Sequence, residues 1–284
     1  MARIHVVTDS GSDLPKDVRE RFGISVVPLT IQFGDDIYRD GVDMQVDEFY
    51  ERLRTGDTLP STCQPSPADF VKVYESIAEA GDTIISVHLS SKLSGTYQSS
   101  VLAASMLPDI DIVSIDTLSA SMGIGLAAIA AAEAVKQEKP KDEVIAITER
   151  AVEQLGVYFM VDTLEFLKRN GRIGRASALM GTLLNIKPIL TLQDGVVTPF
   201  EKARGKAKAL KRISEAIAQY SEEHTGKKLR FGITHAAALD DAEKIAAEIK
   251  EQFPVHDIVI GPIGPTIGVH VGPGTLAVLF YPVQ

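Results

Sequence analysis

Cysteine is almost missing from this chain. Cys63 is the sole one, so no disulfide can form within it, and a reducing compartment, most simply the cytoplasm, is the expectation. Tryptophan is absent. No apolar run reaches the ~18 residues that a membrane-spanning helix requires. The opening MARIHVVTDSGSDLP carries one basic residue and runs straight into turn residues, without the charged-then-apolar plan of a signal peptide. There is no phosphate-cradling P-loop, and no dinucleotide-type glycine fingerprint follows the first strand-like run. His5, His88, His224, His235, His256 and His270 fall at no metal-ligand spacing, so no metal and no cofactor is expected.

What is present is an ordinary globular composition, 45% hydrophobic and 24% charged, over 284 residues. That length exceeds the usual single core and favours two domains. The net charge of -9 is unevenly spread. Residues 1–160 hold 13 Lys and Arg against 25 Asp and Glu, whereas residues 161–284 hold 16 against 13. A chain this acidic is a poor nonspecific nucleic-acid binder. Its basic second half suits an anionic partner, or is simply a solvated surface.

Alternating strand and helix signals give an α/β fold. Strands are expected at Ile4–Thr8, Ser25–Ile31, Thr83–Leu89 and Ile110–Ile115. Helices are expected at Lys16–Phe22, Val46–Leu53, Ala68–Ala80, Gly95–Met106, Ser119–Lys136 and Asp142–Leu155. After a strand at Gly156–Val161 the pattern changes. Thr163–Leu184 reads as helical with a break at Asn170-Gly171. Gln193-Asp194-Gly195 marks a hairpin between Lys187–Leu192 and Val196–Phe200. A helix at Arg204–Glu223 precedes strand, helix and strand at Leu229–Thr234, Ala238–Gln252 and Val255–Ile260. A Gly/Pro-rich loop and a last strand, Thr275–Tyr281, end the chain. The boundary is placed near residue 160, separating 1–160 from 161–284, with the last strand free to join either part.

Three segments read as loops at strand ends, where open α/β sheets bind ligands. Leu59–Pro67 offers hydroxyls among stiffening prolines, although a helix entry capped by Ser66 reads the same way. Ser90–Tyr97 leaves a strand and opens a helix. Ser94 is the expected cap, and the amides of Gly95 and Thr96 would face an anion, unless the segment is no more than a well-capped helix. Gly261–Gly274 has five glycines and three prolines around His270, a candidate donor or base that a buried, satisfied histidine would match equally well. Cys63 lies among hydroxyls and prolines with no activating base in sequence, so a small buried side chain is expected there.

Taken together, VTDSGSDLP, VVPLTIQFGDDIYRDGVDM, LPSTCQPSPADF, HLSSKLSGTYQSS, IDTLSASMGIGL, FLKRNGRIGRASALMG, EKARGKAKAL and IGVHVGPGTL resemble the DegV family of bacterial fatty-acid-binding proteins, in the family's order from Val7 to Leu276. The resemblance implies an EDD fold, with two α/β lobes and a ligand between them. It implies a subunit, not a stand-alone enzyme, that presents the carboxylate of a long-chain fatty acid to a separate ATP-dependent fatty acid kinase. It implies a carboxylate held by Thr62 and Ser94 with His270 alongside, and roles near the kinase's phosphates or docking surface for Arg172 and Arg204. Position 63 is commonly Ser in that motif and is Cys here.

Burying ~14 methylenes at ~0.8 kcal/mol each gives a gross ~11 kcal/mol, so a tail supplies the affinity. The carboxylate needs hydrogen bonds to replace lost water. Candidate tail-lining residues are Phe166, Ile173, Ala176, Leu179, Met180, Leu183, Leu184 and Ile189 in the second lobe, joined by Leu29 and Ile267, and any of them would also suit plain core. The basic stretches around Arg172 and Arg204 suit an acidic kinase or, transiently, a membrane surface. Two other classes stay open: an enzyme of phosphotransferase or hydrolase type using His270, and a carrier of an uncharged lipid.

Overall fold

The computed structural model describes residues 3–56, 58–181 and 186–283. Strand β1 (Ile4–Asp9) leads through a 3-10 turn to α1 (Lys16–Phe22) and β2 (Ile24–Val27). The run expected as one strand at Ser25–Ile31 is broken by Pro28, which has no N–H for a ladder. Leu29 instead donates its amide to Ser10 Oγ at 3.0 Å, and the chain restarts in another sheet. That sheet is small and antiparallel: β3 (Thr30–Phe33), β4 (Asp36–Arg39) and, after α2 (Val46–Thr55), β5 (Ser61–Cys63), in the order β4-β3-β5. Helix α3 (Pro67–Ile77), β6 (Thr83–His88), α4 (Thr96–Met106) and β7 (Asp111–Asp116) complete a parallel sheet of order β2-β1-β6-β7. All six residues of β6 are buried, as expected of a parallel strand covered on both faces.

Helices α5 (Met122–Lys136) and α6 (Lys141–Glu153) follow. A second sheet contains β8 (Gly156–Met160), β9 (Lys187–Gln193), β10 (Val196–Ala203), β11 (Lys228–His235), β12 (Val255–Pro262) and β13 (Leu276–Val283), ordered β10-β9-β8-β13-β11-β12. The last strand therefore lies inside this sheet. Asp194 and Gly195, with φ of 53° and 77°, turn the β9–β10 hairpin as a right-twisted two-residue loop demands. Helices α8 (Lys206–Glu223) and α9 (Leu239–Gln252) cover one face.

Helix α5 packs on both β1 and β11, so it lies between the two larger sheets. Its Ala- and Gly-rich surface permits the close approach. A Cβ on Gly125 would come within 2.9 Å of Leu14, and one on Gly232 of β11 within 2.2 Å of Met122.

Two further expectations change. Among its described residues, the stretch expected to be helical from Thr163 contains only α7 (Glu165–Arg169) and a 3-10 turn at Gly174–Leu179. Gly171 after α7 and Gly174 at the start of the 3-10 turn have φ of 68° and 51°, which stops the helix; Leu183 and Leu184 lie outside the described residues. The Gly/Pro-rich segment is not all loop. It holds α10 (Pro265–Val271), with Pro265 in the first turn, where its missing N–H costs nothing.

Candidate functional site

A cavity of about 190 Å³ lies where β5, the start of α4, α10 and the inner face of the second sheet converge. A single water needs roughly 10–15 Å³ by the same kind of measure, so the space suits a larger guest. Thr62, Gln64, Ser94, Arg172 and His270 all line it.

Thr62 is placed by a strand, not by the loop expected from sequence. It pairs with Ile31 of β3, while Ser66, four residues on, caps α3 through a reciprocal capping box with Asp69. Its Oγ1 lies 2.9 Å from His270 Nε2. Burial, reinforced by the charge of Arg172, lowers His270 to about 4, so the imidazole is neutral at pH 7 and cannot screen an approaching anion as a cation would. His270 Nδ1 is buried with no partner among the described residues. A proton on Nδ1 would be an orphaned donor, so the tautomer with hydrogen on Nε2 is favoured. Nε2–H then donates to Thr62 Oγ1, and the threonine keeps its own proton for a ligand.

Ser94 Oγ is 2.9 Å from Thr96 Oγ1 and accepts the Thr96 amide at 3.4 Å. The helix-start amides expected to face an anion are already engaged. Gly95 N donates to Gln64 Oε1 at 3.0 Å, so Gly95, not Ser94, occupies the cap position, and Thr96 is buried. The polar end thus relies on hydroxyls and on Arg172. That guanidinium donates to the Leu93 carbonyl at 3.1 Å and the Asn170 carbonyl at 2.8 Å, and it is the one Lys or Arg side chain among the described lining residues. Arg204 is exposed just beyond β10 and does not line the cavity.

The apolar wall differs from the expected one, and strand alternation explains why. Successive side chains on β8, β9 and β13 point to opposite faces. Val157, Phe159, Leu192, Ala277 and Leu279 face the cavity. Ile189 points the other way, into the core under α8 and α9 with Met160 and Val278. Of the expected residues, Leu29 and Ile267 do line the space. Phe166 packs on Gly272, Met180 is exposed, and Ile173, Ala176 and Leu179 belong to the surrounding core. Leu183 lies outside the described residues. Cys63 is exposed, contrary to expectation, because β5 is an edge strand. Alternation was unreadable in the sequence because strands such as β13 are apolar on both faces. Gln64 carried no sequence signal beyond its place after Thr62.

The family model described as "Uncharacterised protein, DegV family" matches residues 3–283. A DegV domain-containing protein of Halalkalibacterium halodurans is 38% identical, over 99% of each chain. Among solved structures, a Thermus thermophilus DegV family protein described by its fatty acid binding superposes with a TM-score of 0.93 at 40% identity, over 99% of this chain and 100% of that one. DegV of Bacillus subtilis, described as a fatty acid binding protein, gives 0.91 at 34% identity over 100% of both chains. Whole-length similarity of sequence and of mixed α/β fold places this chain in the DegV family.

Proposed function

We propose that this protein binds one long-chain fatty acid, with the acyl tail in the cavity and the carboxylate at Thr62 and Ser94, and that it presents this carboxylate to a separate ATP-dependent kinase. The observation that carries the reading is one cavity, walled largely by apolar side chains, onto which the hydroxyls of Thr62 and Ser94, a neutral imidazole and one guanidinium all open. A neutral imidazole suits the task because it orients Thr62 without competing for the anion. Arg172 supplies the charge that makes carboxylate desolvation tolerable.

The protein's part is holding and orienting. A carboxylate oxygen must meet the phosphoryl group in line, so the partner brings the nucleotide. Exposed Arg204 and the basic helix after it belong to the docking side of this proposal, facing an acidic kinase or, transiently, a membrane surface. The same reading divides the chain into lobes 1–160 and 161–284 and places it in the cytoplasm. Among the described residues no helix is long and apolar enough to cross a membrane.

Denaturing extraction of the purified protein with native mass spectrometry tests this. A stoichiometric free fatty acid is expected, bound mass and extracted mass agreeing. A neutral lipid at the same stoichiometry, or an adduct on His270, would overturn it in favour of a neutral-lipid carrier or an enzyme.

A further inference from the structure

Two buried carboxyl groups lie behind the cavity wall, one from each of two lobe-one turns, and both grip α10. Asp13 Oδ1 accepts the Gly264 amide at 2.8 Å, and its Oδ2 accepts Ser121 Oγ at 2.5 Å. Asp40 Oδ2 accepts the Thr266 amide at 3.1 Å and also the Thr266 hydroxyl. Gly264 is wedged between them: an added Cβ would stand 2.8 Å from Asp13 Oδ1 and 3.8 Å from both oxygens of Asp40. Ser121 is itself a non-glycine residue at φ 54°, a conformation that persists only when its surroundings hold it. Ser121 and Thr266 line the cavity, as do Ile267, His270 and Val271 of α10.

We infer that Asp13 and Asp40 are positioning residues for the lipid site, fixing the start of α10 and thereby the contact between His270 and Thr62. The inference rests on the proposed function and adds residues that touch no ligand. The helix has only seven residues, too few to hold its own place, and its first free amides are taken by these carboxyls. A shift of α10 would separate Nε2 from Thr62 Oγ1 and free the threonine proton to point elsewhere. The effect should fall on recognition of the acid group, not on the tail.

The test is the ratio of affinities for palmitate and hexadecanol, which share a tail and differ at the head. In Asp40→Ala the ratio should fall about tenfold, the weight of one lost charge-assisted hydrogen bond, and Asp40→Asn, which keeps an acceptor for Thr266, should restore most of it. A lower melting temperature with an unchanged ratio would make the pair merely structural and overturn the inference. Should Asp40→Ala not fold, Thr266→Val removes the hydroxyl donor while keeping its volume, and a wild-type ratio there overturns it equally. A wild-type protein with no preference for the acid would instead be a failure of the functional proposal, not of this one.

Discussion

A threonine hydroxyl has one proton to give, and at position 62 its destination is set by His270. Were the imidazole to accept that proton, Thr62 would offer a ligand only lone pairs, which repel a carboxylate. The burial that keeps His270 neutral and the lack of a partner for Nδ1 among the described residues favour the opposite arrangement. Thr62→Val keeps the shape and deletes the donor. It should weaken palmitate binding about 10- to 100-fold, as loss of a hydrogen bond to a charged group does, while hexadecanol binding changes by less than about threefold. Isothermal titration with both ligands measures this. Equal losses for the two would show that position 62 shapes the tail tunnel and does not recognise the head. Serine at 94 has a weaker claim to independence, since its hydroxyl is shared with Thr96.

At the level of elements, α10 is the piece that joins head and tail, and its end is as constrained as its start. Gly272 closes it at φ 75° and ψ 172°, a region only glycine occupies readily, and a Cβ there would meet Phe166 at 2.3 Å. Gly272→Ala should therefore cost roughly 2–4 kcal/mol of stability, strain and clash together, read from urea unfolding. A change under about 0.5 kcal/mol would mean that the turn relaxes freely. The same contact explains why Phe166, apolar and close in sequence to Arg172, supports the site without lining it. Elements whose signal is local are legible in the sequence: the Asp194-Gly195 hairpin, the helix cap at Ser66, the Ala-rich α5. Ser94 and His270 stand out locally as candidates, but Thr62, Arg172 and the grouping of all four come only through resemblance, because nothing local ties position 62 to position 270. Strand faces fail for another reason. In β8 and β13 both faces are buried, one against α5 and the cavity, the other under α8, so the hydrophobic pattern holds no information on which side faces a ligand. The amides of Gly95 and Thr96 fail for a third. Whether a helix start is free depends on a side chain, Gln64, 31 residues away.

Across the whole molecule, two of the ties between the layers have opposite electrostatics. At one, Arg230 of β11, almost wholly buried, pairs with Glu133 of α5 and Asp257 of β12, each at 2.7 Å. At the other, Asp13 and Asp40 have no cationic partner among the described residues. The like charge of Asp9 acts on both and that of Asp40 also on Asp13, with the Tyr50 phenol nearby. Burial, opposed in part by hydrogen bonds from Thr266, pushes Asp40 up to about 6, and burial likewise raises Asp13. The sign of the consequence follows from linkage. The folded chain keeps a proton on Asp40 up to about pH 6, whereas the unfolded chain releases it near 4, so between those values the native state binds more protons and gains stability as pH falls. Asp43 works in the other direction. Its bonds with Arg39 lower it to about 2, and its contribution is lost as pH falls from about 4 toward 2. Wild-type protein should then gain on the order of 2 kcal/mol relative to Asp40→Asn between pH 7 and pH 4.5, because the asparagine has no proton to take up. Urea unfolding of both proteins at several pH values in that interval gives the difference directly. If it is flat, Asp40 titrates normally and the second tie between the layers is not a desolvated acid.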